Sequence, residues 1–250
     1  MKIAKDIYLV GDGAIRLSNP MDCHVYLIDG GQKKVLIDSG AGVEPEFIVD
    51  NIRNDGFTPG EVDYLIVTHC HADHAGGCKY FREELSCKIL APEVEGRFIE
   101  DGTEQDLGLD MAKRGGLYPA DYVFPHSEVD HELEDSETIE ADRYRLTAMH
   151  VPGHSYCPAV LLMKGEGYTA MFTDDVVFLG GTIGLGNWRG SSLENYRNSI
   201  GKLAGLHVEG MFPGHFLWTL RMGQEHLDRA IEALKLPYPP PNFQHTHPSH

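Results

Sequence analysis

Three histidines and one aspartate lie within six residues of one another in a single stretch, Thr68-His69-Cys70-His71-Ala72-Asp73-His74-Ala75-Gly76-Gly77. The apolar run Tyr64–Val67 before it predicts a buried strand, and the paired glycines predict the start of a helix. His69 and His71 are two residues apart and can face the same side of an extended chain. Imidazole and carboxylate ligands suit zinc first, then iron, manganese or nickel. The spacing therefore predicts a metal-binding loop, with a histidine-rich surface loop as the alternative.

Further histidines and a carboxylate follow in three motifs downstream: Val151-Pro152-Gly153-His154-Ser155, Met171-Phe172-Thr173-Asp174-Asp175 and Met211-Phe212-Pro213-Gly214-His215. Each motif comes at the end of a predicted strand, where a turn can direct a side chain towards a common site. The order HxHxDH, PGH, strand ending in Asp, and a last PGH resembles the metallo-β-lactamase-fold hydrolase superfamily. The resemblance extends from about Ile7 to about Leu220, and four motifs in order are far more specific than one.

The resemblance implies a site for two divalent metal ions, zinc first, with iron or manganese as alternatives. It assigns His69, His71 and His154 to one ion, and Asp73, His74 and His215 to the other, with Asp175 bridging both. Asp73 and Asp175 are then the candidate catalytic carboxylates. Paired ions of this kind lower the pKa of bound water to about 7. The implied reaction is cleavage of an ester, thioester or lactone bond of a small molecule by a metal-bridging hydroxide.

Several branches of the superfamily remain open from the sequence. The stretches Phe178–Gly181 and Ser191–Tyr196 resemble the hydroxyacylglutathione hydrolase (glyoxalase II) branch, although the sequence ends too soon for that enzyme's helical C-terminal domain. Quorum-quenching lactonases have a tyrosine three residues after the bridging aspartate, where Phe178 stands here. Phosphodiesterases and nucleases share HxHxDH. A persulfide dioxygenase with one iron ion is the alternative from a different reaction class.

The amino-acid composition limits the kinds of substrate and partner that we expect for this protein. The formal net charge is −17 and no basic run is visible, which argues against a polynucleotide substrate. No apolar stretch approaches 18 residues, so we expect no membrane span. Five cysteines without CxxC spacing predict reduced thiols, and the absence of an apolar signal core predicts a cytoplasmic protein. We expect a small-molecule substrate, with homo-oligomerisation left open.

The sequence pattern predicts strands at Ile7–Val10, His24–Ile28, Lys34–Ile37, Tyr64–Val67, Cys87–Leu90, Tyr144–His150, Ala159–Met163, Tyr168–Thr173 and Val208–Phe212. It predicts helices at Glu44–Arg53, Gly77–Leu85, Leu193–Leu206 and about Leu220–Leu236. Strands and hairpins mixed with helices in this way, and arranged twice, predict an α/β protein (α+β by some schemes). The resemblance implies the four-layer αβ/βα sandwich of the metallo-β-lactamase fold. We expect one domain over residues 1–236 and a Pro/His-rich tail over residues 237–250. Within the domain, residues 92–142 form an acidic insertion, either a solvated face or a cover over the metal-binding cleft.

Four residues are candidates for lining the substrate pocket: His24, Phe178, Tyr118 and Tyr122. Asp174 stands where relatives commonly have glycine. Because neighbouring residues of a strand point to opposite faces, only one of Asp174 and Asp175 can face the metals, and the motif register favours Asp175. The same alternation turns Cys70 away from His69 and His71, so we predict that Cys70 packs in the interior rather than binding metal.

Overall fold

The computed structural model describes residues 1–243, which divide into two compact units. Unit 1 contains residues 1–134 and 141–143, and the described part of unit 2 contains residues 135–140 and 144–243. The predicted single domain over residues 1–236 stays a prediction. His245, His247 and His250 of the predicted tail lie outside the described residues. Among residues 1–243, no helix combines the length and the apolar character that crossing a membrane requires.

Unit 1 is built on a seven-stranded sheet in which strand order follows chain order. Its strands are β1 (Lys2–Ala4), β2 (Ile7–Gly11), β3 (Val25–Asp29), β4 (Lys34–Ile37), β5 (Val62–Ile66), β6 (Lys88–Pro92) and β7 (His131–Leu133). The first four pair antiparallel, whereas β4 to β7 pair parallel. Parallel pairing brings the C-terminal ends of β4 and β5 to the same edge of the sheet, and the metal-binding loop leaves from that edge.

Five helices belong to unit 1: α1 (Glu46–Asn54), α2 (Ala72–Ala75), α3 (Cys78–Leu85), α4 (Glu93–Asp101) and α5 (Leu109–Arg114). The longer ones are amphipathic, and α1 buries Ile48, Val49 and Ile52 in the core. The acidic stretch 92–142 therefore does more than form a solvated face, because it supplies two helices. It also supplies core side chains such as Tyr118 and Phe124.

Unit 2 is built on a five-stranded sheet with the order β14-β11-β10-β9-β8. Its elements are β8 (Thr138–Ala141), β9 (Tyr144–His150), β10 (Ala159–Gly165), β11 (Tyr168–Asp174), the short hairpin of β12 (Val177–Phe178) and β13 (Thr182–Ile183), α6 (Leu193–Ser199), β14 (Gly210–Pro213) and α7 (Gly223–Lys235). The edge strand β14 pairs parallel with β11. This pairing places the ends of two motif-bearing strands side by side.

Most predicted strands are confirmed within one or two residues, whereas two predicted helices are too long. The helix predicted over Leu193–Leu206 ends as α6 at Ser199 and continues as a 3-10 turn over Ile200–Leu203. The helix predicted to begin at Leu220 begins at Gly223, because Met222 has the left-handed φ of +62° and separates it from the preceding chain. The sequence pattern predicts neither the strands β1, β7, β8, β12 and β13 nor the helices α2, α4 and α5.

Candidate metal centre

The metal-binding loop of unit 1, residues 68–77, follows β5. Its four predicted ligands are divided between an extended segment and the short helix α2. His69 and His71 belong to the extended segment, with His71 at the N-terminal boundary of α2, and Asp73 and His74 belong to the helix itself. His69 Nε2 lies 2.8 Å from His71 Nδ1. Two nitrogens bound to one tetrahedral zinc ion lie about 3.3 Å apart. The two imidazoles share a hydrogen bond and their nitrogens face a common point, so a bound ion would replace that hydrogen bond and hold them slightly further apart.

His74 is held by a buried carboxylate that the sequence analysis missed, that of Asp38 directly after β4. The His74 Nδ1 atom lies 3.0 Å from Asp38 Oδ2, and Ser39 Oγ donates to the His74 carbonyl at 2.7 Å. A carboxylate accepts hydrogen bonds, so Nδ1 carries the proton and Nε2 keeps the lone pair that a metal needs. Asp38 also accepts from the backbone N–H of Thr68 at 2.8 Å and from its hydroxyl.

We expect Asp38→Asn to weaken metal binding about 10–100-fold, the usual effect of removing a partner that orients a ligand. An asparagine side chain has one acceptor oxygen, whereas Thr68 and His74 together present three donors to Asp38. Competition with a chromophoric chelator measures the affinity. Asp50→Asn, on an exposed pair with Arg53 in α1, is the control and should leave the affinity unchanged. Equal affinities for both variants would contradict the role given to Asp38.

The side chains of two cysteines near the loop are buried. The Cys70 thiol donates to the Asp106 carbonyl at 3.7 Å, and its backbone N–H donates to Glu95 Oε2 at 3.1 Å. Burial raises the pKa of the Cys70 thiol well above its ordinary value, and the Glu95 carboxylate raises it further. Burial also raises the pKa of Cys23, which lies near Asp38 and His74. Cys70 is fully buried and its thiol has a protein acceptor, which favours packing over metal binding for this residue.

We expect Cys70→Ala to keep the metal content and most of the activity of the wild-type protein. The change removes one buried sulfur and should lower the free energy of unfolding by about 1 kcal/mol. Elemental analysis beside a thermal unfolding curve tests both statements. Loss of one metal equivalent with unchanged stability would instead make Cys70 a ligand.

In unit 2, His154 is positioned by a turn that only glycine permits. Gly153 has φ +152°, and a Cβ atom there would lie 2.4 Å from the ring of Tyr196. The turn directs the imidazole so that His154 Nδ1 donates to the Gly184 carbonyl at 2.6 Å. Trp188 Nε1 donates to the His154 carbonyl at 2.9 Å and its ring packs edge-on against the imidazole. The Nε2 atom is again the nitrogen left for a metal.

The contacts of the two neighbouring aspartates differ. Asp175 Oδ2 lies 3.5 Å from His154 Nε2 and 3.6 Å from His215 Nε2, so these three predicted ligands meet within unit 2. Asp174 ends β11 with φ +51°, and its carbonyl accepts from the Gly214 N–H at 3.0 Å. The left-handed backbone means that simple strand alternation does not apply at Asp174. It also explains why glycine suits this position. The contacts favour Asp175 as the ligand.

The candidates for the substrate pocket have different surroundings. His24 is buried, with Nε2 3.1 Å from Asp12 Oδ2 and Nδ1 2.9 Å from the Tyr26 hydroxyl, which favours a structural role. Phe178 is buried in unit 2 and packs edge-on against Phe216 at 5.1 Å. The Phe243 ring also packs near Phe178, so the chain after α7 packs against the rest of unit 2. Tyr118 and Tyr122 lie together in unit 1.

The predicted ligands thus form two groups, four residues in unit 1 and three in unit 2. Sequence reasoning missed the residues that hold them, chiefly Asp38 and Trp188. The only signal for Asp38 was its place directly after a buried strand, in Asp38-Ser39-Gly40. Trp188 had none, since nothing in its neighbourhood indicates a contact with a residue 34 positions away.

Comparison with known proteins adds an independent line of evidence. The model of the metallo-β-lactamase superfamily matches residues 18–215. A probable metallo-hydrolase of Methanocaldococcus jannaschii is 26% identical over 197 residues, 76% of this chain and 85% of the relative. The acyl-coenzyme A thioesterase MBLAC2 of Gallus gallus is 27% identical over 210 residues, 77% of this chain and 72% of the relative. A solved metallo-β-lactamase structure from Cronobacter sakazakii matches with a TM-score of 0.72 at 19% identity, covering 94% of this chain and 91% of that one.

Proposed function

The chain belongs to the metallo-β-lactamase superfamily and is a metal-dependent hydrolase, and from this premise we propose that it cleaves a thioester of a small molecule. The observation that carries the proposal is the similarity to an acyl-coenzyme A thioesterase over 77% of the chain. The charge of −17 supports a small substrate over a polynucleotide. The glyoxalase II-like branch stays a prediction.

We also propose that the site holds two divalent metal ions, with zinc as the first candidate. The ligands would be His69, His71, Asp73, His74, His154, Asp175 and His215. The donor chemistry supports this set, since neutral imidazoles with carboxylates are what zinc prefers. Asp38 and Gly184 support it further, because each holds a histidine in the tautomer that leaves Nε2 for a metal. When bound, such ions supply an activated water and polarise the carbonyl oxygen.

A thioester is also a suitable substrate because its cleavage needs few catalytic side chains from the protein. Addition of hydroxide to the carbonyl carbon moves the π electron pair onto oxygen, and collapse of the adduct breaks the C–S bond. The sulfur leaves as thiolate, whose conjugate acid has a pKa of about 8.5, so expulsion needs little help from a general acid. The new carboxylic acid then loses its proton to the thiolate or to the solvent. None of these reaction steps requires a nucleophile from a protein side chain.

The test is an activity panel on metal-loaded protein. The substrates are acyl-coenzyme A esters of several chain lengths, a hydroxyacyl-glutathione thioester, an acyl-homoserine lactone, an aryl acetate and an aryl phosphodiester. We expect the highest kcat/KM for one of the thioesters, at least ten times that for the lactone or the phosphodiester. A lactone or phosphodiester that exceeds every thioester would overturn the proposal.

The cytoplasm remains our proposal for the location of the protein. No disulfide bond forms within residues 1–243, and all five cysteines of the sequence lie in that range. Reduced thiols are the usual state in a reducing compartment.

A further inference from the structure

The segment that follows the predicted ligand His215 is apolar and exposed. Residues 216–220 contain no charged side chain, and we call residues 216–222 the apolar loop. The exposed fractions in this loop are 37% for Phe216, 70% for Leu217, 45% for Leu220 and 61% for Met222. Single exposed apolar residues need no explanation, whereas four of them within seven consecutive residues mark a candidate binding surface.

The apolar loop begins beside the predicted ligands of unit 2. His215 Nε2 lies 3.6 Å from Asp175 Oδ2, and the ring centroids of His215 and Phe216 are 6.3 Å apart. The Phe216 ring also packs edge-on against Phe178, with 5.1 Å between the centroids. Phe178 is buried and supports the Phe216 ring, part of which stays open to solvent. A group held at His215 and Asp175 therefore has an accessible apolar side chain next to it.

The backbone holds the apolar loop in place. Thr219 exchanges two backbone hydrogen bonds with Met211 of β14, at 2.8 and 3.0 Å, and the Tyr168 hydroxyl donates to the Leu220 carbonyl at 3.3 Å. Phe216 has φ +67°, a left-handed conformation that is rare for a bulky side chain. Such strain persists only where the surroundings fix it, and it is concentrated at functional sites. A fixed backbone loses little entropy when a ligand binds.

We propose that the apolar loop binds the hydrocarbon chain of the acyl group, so that the protein prefers medium-chain thioesters to acetyl thioesters. The inference rests on the proposed function, because it needs an acyl substrate. The hydrocarbon chain is attached to the carbonyl carbon that is attacked, so a few methylenes are enough to reach Phe216. Apolar surface binds such a chain by removing it from water. The thiol portion of the substrate carries amides and charged groups, which need polar partners instead.

Two other occupants fit the apolar loop less well. A stable protein interface covers about 20–30 residues on each side, far more than this loop provides. Surfaces that bind membranes combine apolar side chains with several basic ones, whereas the loop has only Arg221 in a chain of net charge −17. A single hydrocarbon chain needs no larger surface than the loop offers.

The test is kcat/KM of the metal-loaded protein for acyl-coenzyme A esters from acetyl to octanoyl. Full burial of a methylene corresponds to about a fourfold gain, so a chain covered on one side should gain about twofold per methylene. We therefore expect the wild-type protein to prefer octanoyl to acetyl about 60-fold. Phe216→Asn removes the ring, and asparagine tolerates the left-handed backbone. Its octanoyl value should fall about tenfold, with the acetyl value changed less than threefold and the metal content unchanged.

Leu217→Ser is the second variant, and its octanoyl value should fall about fivefold without a change in Tm, because this leucine is exposed. Leu236→Ser is the matched control, since it removes another exposed leucine of unit 2 that lies after α7 and outside the loop. It should leave the chain-length preference unchanged. If Phe216→Asn loses metal, Leu217→Ser alone decides.

Three results would overturn the inference. The first is a wild-type preference for octanoyl below fivefold. The second is an unchanged preference in Leu217→Ser. The third is a wild-type dimer, seen by sedimentation, that Leu217→Ser dissociates, because a second copy would then cover the loop.

Failure of the proposed function has a different signature. If the wild-type protein cleaves thioesters without regard to chain length, the inference fails and the proposed function stands. If it cleaves no thioester but cleaves an aryl ester or a lactone, the thioester assignment fails. The same comparison of short and long acyl chains in that compound then decides the inference. If the protein cleaves only the phosphodiester, both are wrong.

Discussion

Asp175→Asn is expected to lower turnover by several orders of magnitude and to weaken the binding of at least one metal ion. Asp174→Asn is expected to keep the metal content and to lose far less activity, about 10–100-fold at most. Comparing the two variants is informative because Asp174 and Asp175 are neighbours in sequence, have the same side chain and are both buried. A general loss of stability at the end of β11 would affect both variants alike.

The contacts of unit 2 give the physical reason. Asp175 Oδ2 lies within 3.6 Å of the Nε2 atoms of His154 and His215, where an anionic oxygen can complete a ligand set. Asparagine keeps the size of the side chain but removes the negative charge that offsets the charge of the ions. Asp174 is held through its backbone, because its carbonyl accepts the hydrogen bond from the Gly214 N–H.

Metal content by elemental analysis and steady-state kinetics on both variants decide the matter. Asp174→Gly serves as a further control for the backbone, since glycine adopts the φ of +51° without strain and should raise Tm slightly. If Asp174→Asn loses metal while Asp175→Asn remains active, the assignment is off by one residue and Asp174 is the ligand.

Metal removal is expected to abolish activity and to lower Tm, with both restored by zinc. Metal that binds only the folded state stabilises it by about 4 kcal/mol at a free concentration 1,000 times its dissociation constant. For a protein of this size that corresponds to a shift of roughly 8–16 °C in Tm. Dialysis against a chelator, followed by titration with Zn²⁺, Mn²⁺ and Fe²⁺ under calorimetry, measures the effect without relying on any substrate.

The stoichiometry of that titration separates the remaining reaction classes. We expect protein purified without chelator to carry close to two metal equivalents per chain, and the titration to return two. Asp38→Asn should reach the same stoichiometry at a weaker affinity. A reproducible single equivalent of iron, with oxygen uptake on a persulfide, would contradict dinuclear hydrolysis and favour the dioxygenase alternative.

The sequence by itself determined the superfamily and its fold, and the comparisons confirm both. The reason is that these properties follow from local patterns. Apolar runs alternate with turn residues at fixed places, as in β4 and β9, whose predicted bounds are the observed ones. Side chains that can bind metal then follow the strand ends, as His154 does after β9. Each such motif is contained within five or six consecutive residues, so it can be recognised in the sequence alone.

Only the tertiary structure decided which side chains support those motifs. Asp38 meets His74 because β4 and β5 pair in parallel, which brings together residues 36 positions apart. Tyr122 meets Ala41 across 81 positions, through the packing of a stretch whose sequence is merely acidic. A hydrogen bond between distant residues depends on sheet register and core packing, and no local period in the sequence encodes it. The sequence therefore predicts a set of metal ligands, whereas the residues that orient them, such as Asp38, had to come from the fold.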